Sequence, residues 1–150
     1  MTIQISTEVN RDYRSVFQGF DEKLFLQLAP PFPPLRLLRY DGCRVGDEVH
    51  LEIGPGPLRK RWEALIVEAG ADEEEIYFVD IGKKLPFPLR RWRHRHRLIR
   101  LGEGRTQIVD DIEYRCRWRS ADYLLYPFLY WQFRIRRPVY RKVFGRPQRP

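Results

Sequence analysis

Apolar and polar residues alternate from Thr2 to Val9, with Ile3, Ile5, Thr7 and Val9 on one side, and this period of two predicts a strand with one buried face. From Tyr13 the period lengthens. Val16, Phe17 and Phe20, then Leu24, Phe25 and Leu28, recur at helical spacing. Gly19 and Asp21 between them predict two short helices, the second capped by Asp21. "APPFPPL" stops any helix, because its four prolines remove donors and fix φ, and it reads as a stiff extended connector. Six strand-like runs follow: Leu35–Tyr40, Asp47–Ile53, Leu58–Glu68, Glu75–Ile81, Leu89–Arg100 and Thr106–Trp118. The turn signals "DG", "GPGP", "GADEE", "GKKLPFP" and "LGEGR" separate them, and such short connections predict consecutive antiparallel strands. The last segment, Ala121–Phe144, carries Leu124, Phe128, Trp131 and Ile135 at helical spacing. It reads as a long helix capped by Ser120 or Asp122, tolerant of Pro127 in its first turn and kinked or ended at Pro138. The expected class is α+β, with residues 1–150 forming one domain and 146–150 a basic, frayed tail.

The run "RRWRHRHRLIR", residues 90–100, poses the sharpest chemical question. In a strand its even face carries Trp92, His94, His96 and Leu98, while Arg91, Arg93, Arg95 and Arg97 face the other way. The next strand places Thr106, Ile108, Asp110, Ile112, Tyr114 and Cys116 on one side. A three-residue Gly102–Glu103–Gly104 turn sets Leu101 opposite Arg105, Arg95 opposite Asp111, Arg93 opposite Glu113, His96 opposite Asp110 and His94 opposite Ile112. The arginine row then meets acids across the strand and reads as a solvated, partly neutralised face. The opposite face is aromatic and apolar with a His–Asp pair set into it. Trp62, Ala64 and Ile66 share a face in one neighbouring run, and Ile76, Phe78 and Asp80 in another, so a curved sheet lined this way under an aromatic helix leaves room for a cavity.

Composition narrows the classes. An apolar content of 43% with 14% aromatics in 150 residues is enough for a core and excludes general disorder. The formal net charge of +8 is unevenly spread: residues 90–100 and 134–150 hold thirteen of the 28 Lys and Arg residues and no acid. The basic tail invites attraction to anionic lipid or nucleic acid, with Arg136, Arg137, Arg141 and Lys142 as the residues for weak membrane-surface contact. No helix-turn-helix, zinc-finger or RNP-type signature accompanies the charge, so no specific nucleic-acid partner is expected. MTIQISTEV lacks a basic stretch followed by an apolar run, and Cys43 and Cys116 stand alone, which together read as a cytoplasmic protein with reduced thiols. His94 and His96 can aim at one point as metal ligands do, with Asp110 as a third. No histidine follows His96 to complete a cupin-like set, however, and His50 between Glu48 and Glu52 is expected to point outward. Neither a metal nor another cofactor is expected from this pattern.

The element order resembles the START/Bet v 1-like superfamily, also called SRPBCC. The stretches that carry the resemblance are "STEV" leading into "VFQGFDEKLFLQLAPPFPPL", then "RYDGCRVGDEVHLEI", "IYFVDIG" with "LPFPLRRWRHRHR", and "TQIVDDIEYR". They look most like small stand-alone bacterial members described as ligand-binding or cyclase/dehydrase-like. The resemblance implies a helix-grip fold, in which a long C-terminal helix covers a deep pocket on a curved antiparallel sheet of about seven strands. It also implies a small hydrophobic or amphipathic ligand, lipids among the candidates.

On this reading Trp62, Phe78, Trp92, Ile112 and Tyr114 from the sheet, with Leu124, Phe128, Trp131 and Ile135 from the helix, wall the cavity. His94, His96 and Asp110 orient a polar group on the ligand or brace one another when it is absent. Carriage or sensing of a small hydrophobic molecule is the leading expectation. A cyclase- or dehydratase-like enzyme using the His–Asp pair comes second, and docking through the basic C-terminal segment third. The sequence leaves ligand identity and oligomeric state open.

Overall fold

The computed structural model describes residues 1–145; the expected basic tail at 146–150 lies outside the described residues. β1 (Thr2–Val9) buries Ile3, Ile5, Thr7 and Val9 and pairs along its whole length with β7 (Arg105–Cys116). Two short helices follow, α1 (Tyr13–Gln18) and α2 (Glu22–Leu28). Asp21 caps α2 as expected, its Oδ1 accepting from the Leu24 N–H at 2.9 Å. Gly19 ends α1 where the Phe144 ring passes so close that a Cβ would meet it at 2.6 Å.

β2 (Leu35–Tyr40), β3 (Glu48–Ile53), β4 (Lys60–Ala71), β5 (Glu75–Lys84) and β6 (Leu89–Gly102) then run as an antiparallel meander into β7. The strands form one seven-stranded sheet in the order β1-β7-β6-β5-β4-β3-β2. A 3₁₀ turn at Gly56–Leu58 precedes β4, so that strand starts at Lys60 and not at Leu58, and it continues through Gly70 to Ala71.

The β6–β7 register agrees with the alternation: Arg93 faces Glu113, His94 faces Ile112, Arg95 faces Asp111 and His96 faces Asp110. The turn differs. Gly102 pairs with Arg105, and the register shifts between Arg100 and Gly102, so the loop is Glu103–Gly104 with Leu101 as an inserted residue. The outer arginines also choose other partners than expected. Arg95 and Arg97 bond Glu75 on β5 at 3.2 and 2.6 Å, and Arg93 lies 3.5 Å from Glu68 on β4. Long guanidinium arms reach diagonally along the sheet, so a directly opposed acid need not be the one that pairs.

The C-terminal helix is broken in two, α3 (Arg119–Arg134) and α4 (Arg136–Phe144), at Ile135. Pro138 explains the position of the break. Its missing N–H and its ring both deny a partner to the carbonyl four residues earlier, at Arg134. α3 begins at Arg119, so Pro127 lies inside the helix, beyond the first turn, and neither Ser120 nor Asp122 is the cap. Asp122 turns inward instead. Its carboxylate accepts from the Cys116 N–H at 2.6 Å, and the Tyr114 hydroxyl donates to its carbonyl at 2.7 Å.

That anchor fixes which face of α3 is buried. Leu129 and Phe133 are buried along with Asp122, whereas Leu124 is 80% exposed and Trp131 40%. Leu124 and Trp131 therefore do not line the interior, and Phe128 and Ile135 are only half-buried. In α4 the inward residues repeat every four positions: Arg136, Tyr140 and Phe144. Arg136 is thereby removed from the surface set expected to meet a membrane. Among the described residues, no helix is long and apolar enough to cross a membrane.

Two packed clusters flank the interior. One joins Val9, Val16, Leu24, Leu28, Leu98, Tyr140 and Phe144; the other joins Ile3, Ile5, Trp92, Ile112, Tyr114, Leu129 and Phe133. Between them the sheet and helices leave a cavity.

Candidate functional site

The cavity holds about 170 Å³ and takes walls from α2, β2 to β6 and both parts of the C-terminal helix. Leu24, Phe25 and Leu28 of α2, Val49, Leu51 and Ile53 of β3, and Trp62, Ala64 and Ile66 of β4 make most of it aliphatic or aromatic. Their alternate positions share a face because strand side chains repeat every two residues. Trp62 meets Trp92 edge-on, with centroids 4.8 Å apart.

One wall is ionisable. Phe78 and Asp80 of β5 and Trp92, His94 and His96 of β6 project into the cavity, joined from the helix by Gln132, Phe133, Arg136 and Tyr140. The expected Trp62, Phe78, Trp92, His94 and His96 are thus brought together around one space. Asp110 sits just behind that wall, fully buried. Ile112 and Tyr114 are packed into the solid cluster beside it, not along the cavity.

The two histidines stack head to tail, ring centroids 3.6 Å apart and planes 30° apart. Each bonds the carboxylate diagonal to it. His94 Nε2 is 2.9 Å from Asp110 Oδ1, and His96 Nε2 is 2.8 Å from Asp80 Oδ2. The remaining nitrogens face the opposite acids at longer range: His94 Nδ1 is 3.8 Å from Asp80 Oδ2 and His96 Nδ1 3.9 Å from Asp110 Oδ1. Each carboxylate therefore sees one nitrogen of each ring. Phe78 stacks on His96 at 4.2 Å and the Phe133 edge abuts His94 at 5.1 Å, which holds both rings in place. Behind them the Tyr140 hydroxyl donates to Asp110 Oδ2 at 3.3 Å, and the Arg136 guanidinium lies 3.8 Å from Asp110 Oδ1 and over the Phe133 ring.

Burial alone would raise both carboxyl groups. For Asp80 the bond from His96 and the nearby imidazoles outweigh it; for Asp110 the bond from His94 and the attraction of that ring, then the Arg136 charge, do so. Both are held below the usual carboxylate range. Burial, then the neighbouring His94, pulls His96 down to about 4, so it is neutral at pH 7. The wall thus presents ionised carboxylates and a neutral imidazole to an apolar space, a setting suited to accepting a hydrogen bond or a proton.

Asp80 lines the cavity too, outside the residues expected there. Its placement on the Phe78 face was legible, but its role needed the β5–β6 register, in which Asp80 opposes His94. Cys43 and Tyr40 also border the cavity, the thiol pushed up to about 11 by burial and so uncharged. His50 lies away from it as expected, between Glu48 Oε1 at 3.1 Å and the Arg61 guanidinium at 3.1 Å.

Solved structures share this architecture. Norcoclaurine synthase from Thalictrum flavum, in complex with dopamine and hydroxybenzaldehyde, superposes with a TM-score of 0.63 over 99% of this chain and 89% of its own, at 12% identity. The ZhuI aromatase/cyclase from Streptomyces sp. R1128 gives 0.60 over 81% and 72%, at 15% identity. A Thermobifida fusca protein solved by solution NMR gives 0.57 over 83% and 80%, at 20% identity. No family model matches the chain, and no curated protein does. The fold is the helix-grip fold that the element order implied. Likeness at this level of identity establishes architecture, and function must be argued from the site.

Proposed function

We propose that the protein binds a small, largely apolar organic molecule in the cavity and turns one polar group of it toward Asp80 and the two histidines. The observation that carries this reading is a space of about 170 Å³ with aromatic and aliphatic walls and one ionisable side. Its size argues for a compact ligand. An apolar protein cavity of roughly 150 Å³ accommodates benzene, so a single-ring phenol or amine fits this space better than a long acyl chain. A hydroxyl or ammonium donor satisfies the ionised Asp80, while the ring displaces no water-bound polar group from the apolar walls.

Native mass spectrometry of the chain purified from cells, followed by titration with single-ring phenols and amines, tests this. Binding in the micromolar range or tighter supports it, and Ala64→Trp, which fills the cavity from β4, should abolish that binding while the circular dichroism stays native. A panel without a binder, or unchanged affinity in the filled variant, overturns it.

A second reading, acid–base turnover of the bound molecule, is favoured by one feature: a neutral His96 bonded to an ionised Asp80 at the cavity wall. Under it, His96→Ala abolishes conversion of a bound compound and leaves its affinity within a few-fold. Conversion that persists in both His94→Ala and His96→Ala removes these residues as catalysts.

A further inference from the structure

We propose that Asp80, His94 and His96 form a binding site for one first-row divalent transition-metal ion of the zinc type, on the cavity wall and independent of any organic ligand. One donor atom from each of the three residues lies within 4.8 Å of the others, in a buried setting. A tetrahedral ion with metal–donor bonds of about 2.0–2.2 Å holds its ligands roughly 3.3 Å apart. Asp80 Oδ2 is 2.8 Å from His96 Nε2 and 3.8 Å from His94 Nδ1, spacings that bracket this value.

The hydrogen-bond pattern points the same way. His94 Nε2 lies 2.9 Å from Asp110 Oδ1, so Nδ1 is the nitrogen of that ring turned toward Asp80. That nitrogen faces Asp80 Oδ2 across 3.8 Å, too long for a hydrogen bond, which leaves space for an ion between two donor atoms. A cation between them would bond both. On the far side Asp110 accepts from the outer nitrogen of His94, the outer-shell partner that orients and strengthens a metal-bound imidazole. Two buried carboxylates, Asp80 and Asp110, flank the site against the single Arg136 guanidinium.

Binding requires one rearrangement. The proton on His96 Nε2 moves to Nδ1, which faces Asp110 Oδ1 at 3.9 Å and must close that gap to bond it, and the freed Nε2 lone pair joins the ion. Three protein ligands leave the cavity side open for a fourth, the arrangement of metal sites that bind or activate small molecules. A search for a third ligand downstream of His96 misses this set, because Asp80 comes from the preceding strand, opposite His94 in register.

Titration of the chelator-treated 150-residue chain with Co(II), and competition with Zn(II), tests the site without any organic molecule. One tightly held equivalent with visible ligand-field bands is expected. Asp80→Ala and His96→Ala should each weaken it more than about 100-fold, and Asp110→Asn by about 10- to 100-fold as an outer-shell change. His50→Ala, which removes the other histidine with acidic neighbours, should leave it unchanged. Should an aspartate variant fail to fold, the His50→Ala chain decides alone: one equivalent of Co(II) must give hyperfine-shifted signals from both remaining imidazoles. Failure to hold one equivalent, affinity unaffected by Asp80→Ala and His96→Ala, loss in His50→Ala, or shifted signals from fewer than two imidazoles overturns the assignment. A metal-free result leaves the apolar cavity and its ligand test untouched.

Discussion

Neutral His96 makes the pH dependence of stability a residue-level matter. Its ordinary value of 6.5 falls to about 4 in the folded chain, chiefly through burial. The unfolded chain therefore takes up the proton first, and stability rises with pH wherever the unfolded state holds more protons. The contribution is fully present above about pH 6.5 and is lost progressively down to about pH 4, roughly 3 kcal/mol in all at 1.36 kcal/mol per pH interval. Asp80 and Asp110, both held low, add a further loss as pH falls below the ordinary carboxylate value of 3.8. Urea unfolding between about pH 7.5 and 4.5 should show the first decline in the natural chain and a flatter one in His96→Gln; equal slopes would place His96 elsewhere. Asp122 offers a second check. Asp122→Ala leaves the buried Cys116 N–H without its acceptor and should cost about 1–3 kcal/mol, read as a lowered denaturation midpoint. At this scale the sequence was partly legible. The inward aim of Trp92, His94 and His96 followed from alternation alone, and His94 is indeed only 4% exposed. The choice of acid partner did not, because His96 opposes Asp110 but bonds Asp80, and that diagonal depends on how the rings stack.

Among the elements, the strands were legible and the phase of the last helix was not. Opposing pairs in β6 and β7 are set by a short turn and a period of two, and the inserted Leu101 alters the loop without moving the pairs beyond it. The α3 segment, "YLLYPFLYWQF", is apolar on more than one face, so two stripes offset by about one residue fit the helical period equally well. The carboxylate of Asp122, locked to the end of β7, selects the stripe through Leu129 and Phe133. Leu129→Ala should therefore cost about 2–5 kcal/mol, while Leu124→Ala, on the exposed face, should stay within about 0.5 kcal/mol. Chemical denaturation of the two variants decides the phase; comparable losses, or the reverse order, would contradict it.

The whole molecule combines a paired, solvated exterior with an apolar interior that has one charged wall. The β6 arginine row, read as a partly neutralised face, is engaged by Glu68 and Glu75, while Arg136 of the basic C-terminal segment, read as a docking residue, turns inside beside Asp110. The cavity itself was foreseeable from a curved sheet under an aromatic helix. Its volume was not, because it depends on how far α2 and β3 close over the open side of the sheet. Four tryptophans report on the arrangement directly. Trp62 and Trp92 border the cavity, whereas Trp118 and Trp131 are exposed. In ¹H–¹⁵N spectra recorded during titration with a phenol, the indole N–H signals of Trp62 and Trp92 should move and saturate together while those of Trp118 and Trp131 stay fixed. Saturable shifts at Trp131 or Trp118 with Trp62 and Trp92 unmoved would contradict binding between sheet and helix.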